Sequence, residues 1–471
     1  MKPLRVLHIY NKSYADPGNF YLGAVKDIMG RPEYFQERKI AFDVLHTANK
    51  RTYFKHLFML ERQQLETYTH FILEMTFSPS AIDWLRDVVP HAMIITRSHN
   101  AELLHRQDLG RSQGRTETSE DSLELTLTNF ACDYESANKS DYLLSIDQWE
   151  LEHYWKHLMI SDKTLPEYTV MEFRNKTQYS IAKLYQAIHA DYPDLVFSAK
   201  PETINWLNGV LETPEFFEKV LIRYPHFEPS QAIQTLRSQT QGLRHQPIHA
   251  LSYLQTRMIK KMNRLLLEEL YPQKSPQKGA MSYKGRWVPY FLPNRYKEQI
   301  PPAKAKKNIC VNLTSSNTEN PFLIDATKNF FTLVDQLNGK NQEWEFYSTG
   351  DANHYDMRPG RAQWTGYLAS PYELLAQSRA MAILSEYGYG FKTKILEAIH
   401  TKNYVLMPEN LYHRMPDILY PYCIPVDLHS VDSFQAALEK CREPFPESNV
   451  NAEFKRLAFD ELDDIFFNHN R

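Results

Sequence analysis

Twice along the chain, short apolar runs alternate with stretches of helical spacing, and this alternation limits the possible folds more than any other feature. In the first block, Leu4–Tyr10, Ile40–Leu45, Phe71–Thr76, Ala92–Thr96 and Tyr142–Ile146 read as strands, with a helix through Tyr21–Met29. In the second, Asn308–Leu313, Trp344–Ser348, Arg361–Thr365, Met381–Leu384 and Tyr404–Met407 read as strands, with helices over Leu323–Leu337 and Ser370–Gln377. Strands separated by helices pair in parallel and are covered on both faces. The pattern therefore predicts an α/β chain with two doubly wound domains. Ligands of such sheets sit off the carboxyl ends of the strands, so the loops after Tyr10, Thr76 and Thr96 should face one cleft.

Between the blocks, from Leu165 to Gly285, the alternation stops. Ile181–His189, Pro214–Arg223, Gln231–Leu236 and Leu251–Leu270 have helical spacing broken by prolines, which reads as a helical insertion. Lys297–Lys307, with Pro301-Pro302 and its lysines, reads as a linker. The resulting boundaries are a first domain over 1–164, an insertion over 165–285, and a return strand with linker over 286–307. A second domain follows over 308–450, and a terminal helix over 451–471.

Composition narrows the class. A net charge of −3 offers no bulk attraction to nucleic acid. The four cysteines (Cys132, Cys310, Cys423 and Cys441) form no CxxC pair and no disulfide-framework spacing, which fits a reducing cytoplasm. The chain shows no signal-peptide pattern, and no apolar run nears the roughly 20 residues that span a bilayer. The expected location is cytoplasmic, with a peripheral place at the inner membrane face left open. From Ala250 to Cys310 there are thirteen Lys or Arg against three Glu, with an apolar stripe at Met258, Met262, Leu265, Leu266 and Leu270. This basic 251–307 region fits either a membrane-surface helix or a helix packed on the protein with a solvated basic face. Thr116–Glu135 carries six acidic residues and no basic ones, and reads as a solvated face.

With only 15 glycines in 471 residues, glycine clusters carry information. The segment Gly388–Pro408, GYGFKTKILEAIHTKNYVLMP, places Gly388 and Gly390 in a loop, then Lys392 and Lys394, then a helix holding Glu397. A helix mouth with unpaired amides, close backbone approach and two ammonium groups suits a phosphate. Glu397, about one and a half helical turns in, would accept from neighbouring hydroxyls. Phosphates with a diol describe a nucleotide or nucleotide-sugar, although such a loop also occurs as plain punctuation. After Thr96 comes Arg97-Ser98-His99-Asn100-Ala101-Glu102. A polar cluster directly after a buried strand suits a site. A helix cap by Ser98 or Asn100, with Glu102 completing a capping box, reads equally.

Gly390-Phe391-Lys392-Thr393-Lys394-Ile395-Leu396-Glu397-Ala398 resembles the donor-binding segment of the large family-four type of retaining GT-B glycosyltransferases, the glycosyl transferases group 1. His99-Asn100-Ala101-Glu102 is similar to the H-N-x-E segment of that family's acceptor domain, and Glu135–Tyr154 and Trp287–Asn294 resemble later parts of it. The resemblance implies a GT-B fold, two facing Rossmann-like domains, with the 165–285 insertion as an addition. It implies that Glu397 holds the nucleotide ribose and that Gly390, Phe391, Lys392 and Lys394 hold the diphosphate. Gly350, Gly366 and Tyr367 would lie toward the base, and His99 would act at the reacting centre. Gly18, Asn19 and Asn100 would form the acceptor-side loop. The family's earlier Glu is Tyr389 here. The cation after the first strand of the second domain is absent too, its place taken by Thr314 and Ser315 with Ser316 and Asn317.

The function so implied is retaining, metal-independent, hexosyltransferase-type transfer from a nucleotide-sugar, such as a UDP- or GDP-sugar, to a glycan or lipid-linked acceptor in bacterial surface polysaccharide synthesis. No cofactor, metal or nucleic acid is implied, and the sequence has no D-x-D. Two alternatives stay open. A catalytically silent partner subunit would explain Tyr389, and a sugar-nucleotide epimerase on the same fold would need acid/base carboxylates in the cleft.

Overall fold

A computed structural model describes residues 3–47, 62–76, 79–112, 132–156, 284–314, 320–350 and 360–468, with one- and two-residue gaps inside some runs. The helical insertion and most of the basic 251–307 region lie outside the described residues, as does Ser315.

The first domain carries β1 (Arg5–Asn11), α1 (Gly23–Glu37), β2 (Ala41–Thr47), β3 (His70–Glu74), α2 (Pro79–Val88), β4 (Met93–Ser98), α3 (Glu102–Ser112), β5 (Tyr142–Ser145) and β6 (Gly285–Trp287). Its six strands run β2-β1-β3-β4-β5-β6, every neighbour parallel. Parallel strands covered on both faces need apolar residues at every position, and β3 shows it, buried from His70 to Glu74. The charged residue at the end of that buried run is therefore an anomaly that needs partners.

The second domain carries β7 (Lys307–Asn312), α4 (Pro321–Gln336), β8 (Glu345–Ser348), β9 (Gln363–Trp364), α5 (Tyr372–Gln377), β10 (Ser378–Ala382), α6 (Lys394–His400), β11 (Tyr404–Pro408), β12 (Cys423–Val426), α7 (Val431–Lys440) and α8 (Val450–Phe467). Its sheet order is β12-β11-β10-β7-β8-β9, again all parallel. Asn320 caps α4 by accepting from the Phe322 amide, with Pro321 at the first helical position. Two facing doubly wound parallel sheets make this the GT-B arrangement expected from the sequence.

Several boundaries shift. The first helix does not stop at Met29. It runs through Pro32 to Glu37, because Val25, Ile28, Tyr34 and Phe35 continue a buried apolar face past the proline. The strand predicted at Met381–Leu384 begins earlier, at Ser378. The last helix, α8, buries Phe454, Phe459, Leu462 and Phe466 against the first domain. It is pinned there by Arg38 and Tyr34 on Asp463 (2.6 and 2.9 Å) and by Lys455 on Glu33 and Glu37 (2.7 and 2.6 Å). One apolar core therefore runs from Val6 and Ile95, through Phe291 and α8, to Val311 and Ile395.

Candidate functional site

The carboxyl ends of the two sheets meet, and what meets there differs on the two sides. On the first domain it is a buried ion network. Glu74, at the end of β3, accepts from His8 Nε2 and His99 Nε2 (2.7 Å each) and from Arg31 Nε (2.8 Å) and Nη2 (3.1 Å). Asp27 on α1 accepts from Arg31 (2.5 Å) and bidentately from Arg97 (2.7 and 2.9 Å), with His99 Nε2 at 3.5 Å. Asp27 and Arg31 are one helical turn apart, so α1 presents both toward the ends of β3 and β4.

Burial by itself would raise the Glu74 carboxyl. Arg31 and the hydrogen bonds from His8 and His99 outweigh it and hold that carboxyl well below the ordinary range. Asp27 is likewise lowered against its own burial by Arg31 and Arg97. Asp27, Glu74 and His99 bring ligand atoms within 4.8 Å of one another. Arg31 and Arg97 already neutralise those oxygens, so a dication would have to displace guanidinium groups. Next to Glu74, Met75 is held at φ 81°, a strained conformation for a non-glycine residue, with its amide on the Arg97 carbonyl (2.7 Å).

On the second domain the facing elements are backbone amides and lysines. The strap Glu386–Phe391 leads into α6, which begins only at Lys394, so Glu397 lies in its first turn and not one and a half turns in. Glu397 is 1% exposed. It forms an ion pair with the buried Lys26 of α1, across the crevice, and accepts from Tyr372 Oη (3.1 Å). The Lys392 ammonium donates to the Tyr389 carbonyl (2.9 Å), and Lys394 donates to the Leu313 carbonyl (2.6 Å). Burial, reinforced by Arg414 for Lys392 and by Lys26 for Lys394, lowers both to about 8. The two lysines are thus tethered to backbone carbonyls.

Gly390 shows how closely the halves approach. Its φ of +79° is a glycine conformation, and a Cβ there would lie 2.1 Å from Asn100 Oδ1 and 2.7 Å from the His99 carbonyl. The glycine admits the opposing domain's backbone, the same close approach that a phosphate would need. Its amide donates to Glu150 Oε1 (2.6 Å), while Glu150 Oε2 accepts from the Ala101 amide (2.8 Å). Burial and the neighbouring Asp147 raise the Glu150 carboxyl well above its usual range. Gly388 similarly donates to Asp108 (2.9 Å). An internal carboxyl thus occupies the Gly390 amide, one of the amides expected from the sequence to face a diphosphate.

The structure thus brings His99, Asn100, Gly390, Lys392, Lys394 and Glu397 to one interface. Phe391 instead turns into the core beside Tyr290 and Phe454. Tyr389 lies against Trp149, ring centroids 6.0 Å apart. Gly350 and Gly366 pair through one hydrogen bond (3.0 Å) at the ends of β8 and β9, with Tyr367 exposed beside them. Thr314 donates to the Thr349 carbonyl (2.5 Å). Gly18 and Asn19 follow β1 in a short helical turn braced by Asp16 and Ser13.

Sequence reasoning missed His8, Asp27, Arg31, Glu74 and Glu150. The available signals were a carboxylate inside the apolar run of β3 and an Asp-Arg pair at i,i+4 on α1.

No protein-family model matches the chain, and no curated protein sequence matches it. Among solved structures it is similar to HepE of Anabaena in complex with UDP and glucose (8% identity, 98% of this chain and 95% of that one, TM-score 0.42). It is also similar to sucrose-phosphate synthase from Thermosynechococcus elongatus (10%, 98% and 95%, TM-score 0.43) and to a glycosyltransferase from Rickettsia africae (10%, 99% and 98%, TM-score 0.41). Likeness this loose carries no functional assignment.

Proposed function

We propose that the protein is a nucleotide-sugar-dependent glycosyltransferase of GT-B type that retains anomeric configuration and works without a metal. The observation that supports this most is the approach of His99 and Asn100, off the end of β4, to Gly390 in the glycine strap of the opposite domain, with the Lys26–Glu397 ion pair as a second link between the two domains. In this reading the donor enters between parted halves, and its diphosphate replaces Glu150 on the Gly390 amide, with Lys392 and Lys394 nearby. Glu397 holds the ribose and His99 positions the sugar.

The bond from the anomeric carbon to the diphosphate oxygen breaks, and the oxygen keeps the electron pair. The anomeric carbon bonds to an acceptor hydroxyl, whose proton leaves with the diphosphate or to solvent. Amides and ammonium groups aimed at the departing diphosphate stabilise its developing charge, and closure of the halves excludes water. The acceptor is a glycan or lipid-linked glycan of a surface polysaccharide. Among the described residues no helix is long and apolar enough to cross a membrane. Contact with a membrane through the basic 251–307 region, on the cytoplasmic face, completes this reading.

A panel of UDP- and GDP-sugars incubated with the full chain tests it. Release of nucleoside diphosphate supports transfer chemistry, and inversion at C2 of the sugar supports an epimerase instead. Nucleotide binding without turnover supports a silent partner subunit. That second reading is favoured by one specific contact, the Glu150 carboxyl already seated on the Gly390 amide.

A further inference from the structure

On the other side of the strap, away from β7–β9, a cavity of about 620 Å³ opens at the carboxyl ends of β11 and β12. Its size lies within the roughly 300–1,000 Å³ of small-ligand sites. One wall is aromatic. The Trp149 and Tyr389 rings stand at 39° to each other, and the Arg414 guanidinium lies 4.6 Å from the Tyr389 centroid and 6.0 Å from that of Trp149. Arg414 is itself fixed, donating to the Asn410 carbonyl (3.1 Å) and the Gly388 carbonyl (3.2 Å). The wall is therefore built before any ligand arrives.

The remaining lining mixes apolar residues, Pro408, Val426 and Leu428, with charged ones. Among the charged ones, Asp108, Glu386, Glu409 and Asp427 outnumber Arg414, His413 and His429, with Glu386 beside His429 (3.4 Å), so the carboxylates dominate. Such a lining repels a diphosphate or a phosphosugar. It suits a ligand rich in hydroxyl donors, because ionised carboxylates only accept hydrogen bonds. Trp149 is backed by His153 (centroids 4.9 Å) and Tyr389 by Arg414, and the ring surface left beside them suits the apolar C–H faces of a pyranose ring. We propose that this cavity is a binding site for a neutral oligosaccharide, separate from the donor crevice and divided from it by the strap Glu386–Gly390. Naming that oligosaccharide as the acceptor rests on the transferase reading; its binding does not.

The test uses the full chain without donor. Saturation-transfer NMR is run with neutral tetrasaccharides (malto-, cello-, manno- and chito-series) and with an anionic galacturonate tetramer, and nucleotide binding is titrated separately with UDP and GDP. The expected result is saturable binding of at least one neutral tetramer and none of the anionic one. Trp149→Ala should weaken that binding about tenfold, the scale of one lost aromatic face. Glu409→Ala should weaken it several-fold, with nucleotide affinity unchanged in both.

Failure of every neutral tetramer to bind overturns the proposal. So does preference for the anionic one, or unchanged binding in a Trp149→Ala protein with wild-type melting behaviour. If Trp149→Ala does not fold, Glu409→Ala decides by itself. Glycan binding without nucleotide binding would sink the transferase reading and leave this site standing. Nucleotide binding without glycan binding would do the reverse.

Discussion

The two faces that meet in the crevice are built from opposite materials. The first domain presents side chains, Asp27, Arg31, Glu74, Arg97 and His99, that are buried and paired with one another. The second presents backbone amides at Gly388 and Gly390 and two lysines donating to carbonyls. A network of mutually paired charges in a dry interior cannot rearrange without leaving a charge uncompensated. Amides held by carboxylates from another domain can exchange one anion for another when the domains part. The first face is a rigid platform, and the second is the exchangeable half of the site.

The largest expected effect breaks the platform. Glu74→Ala removes one of the two carboxylates paired with Arg31, together with the acceptor of His8 and His99, and should cost about 3–5 kcal/mol of stability by denaturant titration. An equal cost for Lys392→Ala would erase the contrast between the two faces. Next, His99→Ala should lower transfer about a hundredfold or more through mispositioning while nucleotide affinity stays nearly intact; a fully active variant removes His99 from the reaction.

Glu397→Ala should weaken nucleotide binding by roughly 1.5–3 kcal/mol, the scale of a lost charged hydrogen bond, measured by calorimetry. Because Glu397 also neutralises Lys26, adding Lys26→Met should restore stability without restoring affinity; joint recovery would make Glu397 purely structural. A smaller effect is expected of Glu150→Ala. Removing the internal carboxyl should strengthen diphosphate binding by about 1 kcal/mol, the net worth of one hydrogen bond. Weaker binding would mean that Glu150 does not compete for the site.

The two faces should also part in pH. Glu74 and Asp27 are lowered in the fold, so their stabilisation is complete above about pH 4 and is lost as pH falls below it. Glu150 is raised, so its contribution is complete below about pH 4 and is lost as pH climbs through its raised value. Denaturation midpoints should follow the first pair, and hydrogen exchange at the Gly390 amide should follow the second group.

Much of the fold was legible because burial on both faces of a parallel strand demands an unbroken apolar run. Five runs in the first block fall on β1 to β5, each shifted by a residue or two. The strand β12 was not legible, since Cys423–Val426 is four residues long and contains Pro425, which only an edge position tolerates. The candidate site was half legible. Local motifs marked His99, the glycines, the lysines and Glu397, whereas Glu74 read only as one residue of the strand Phe71–Thr76.

The sequence by itself determined the two doubly wound sheets and the glycine strap, because periodicity and glycine conformation act over a few neighbouring residues. Only the tertiary structure decided that Gly390 admits Asn100 and His99, that Glu150 sits on its amide, and that Glu397 pairs with Lys26. Those partners lie hundreds of residues apart, and charges in a buried interface are settled by which opposite charge the fold delivers to them, not by the residues beside them in the chain.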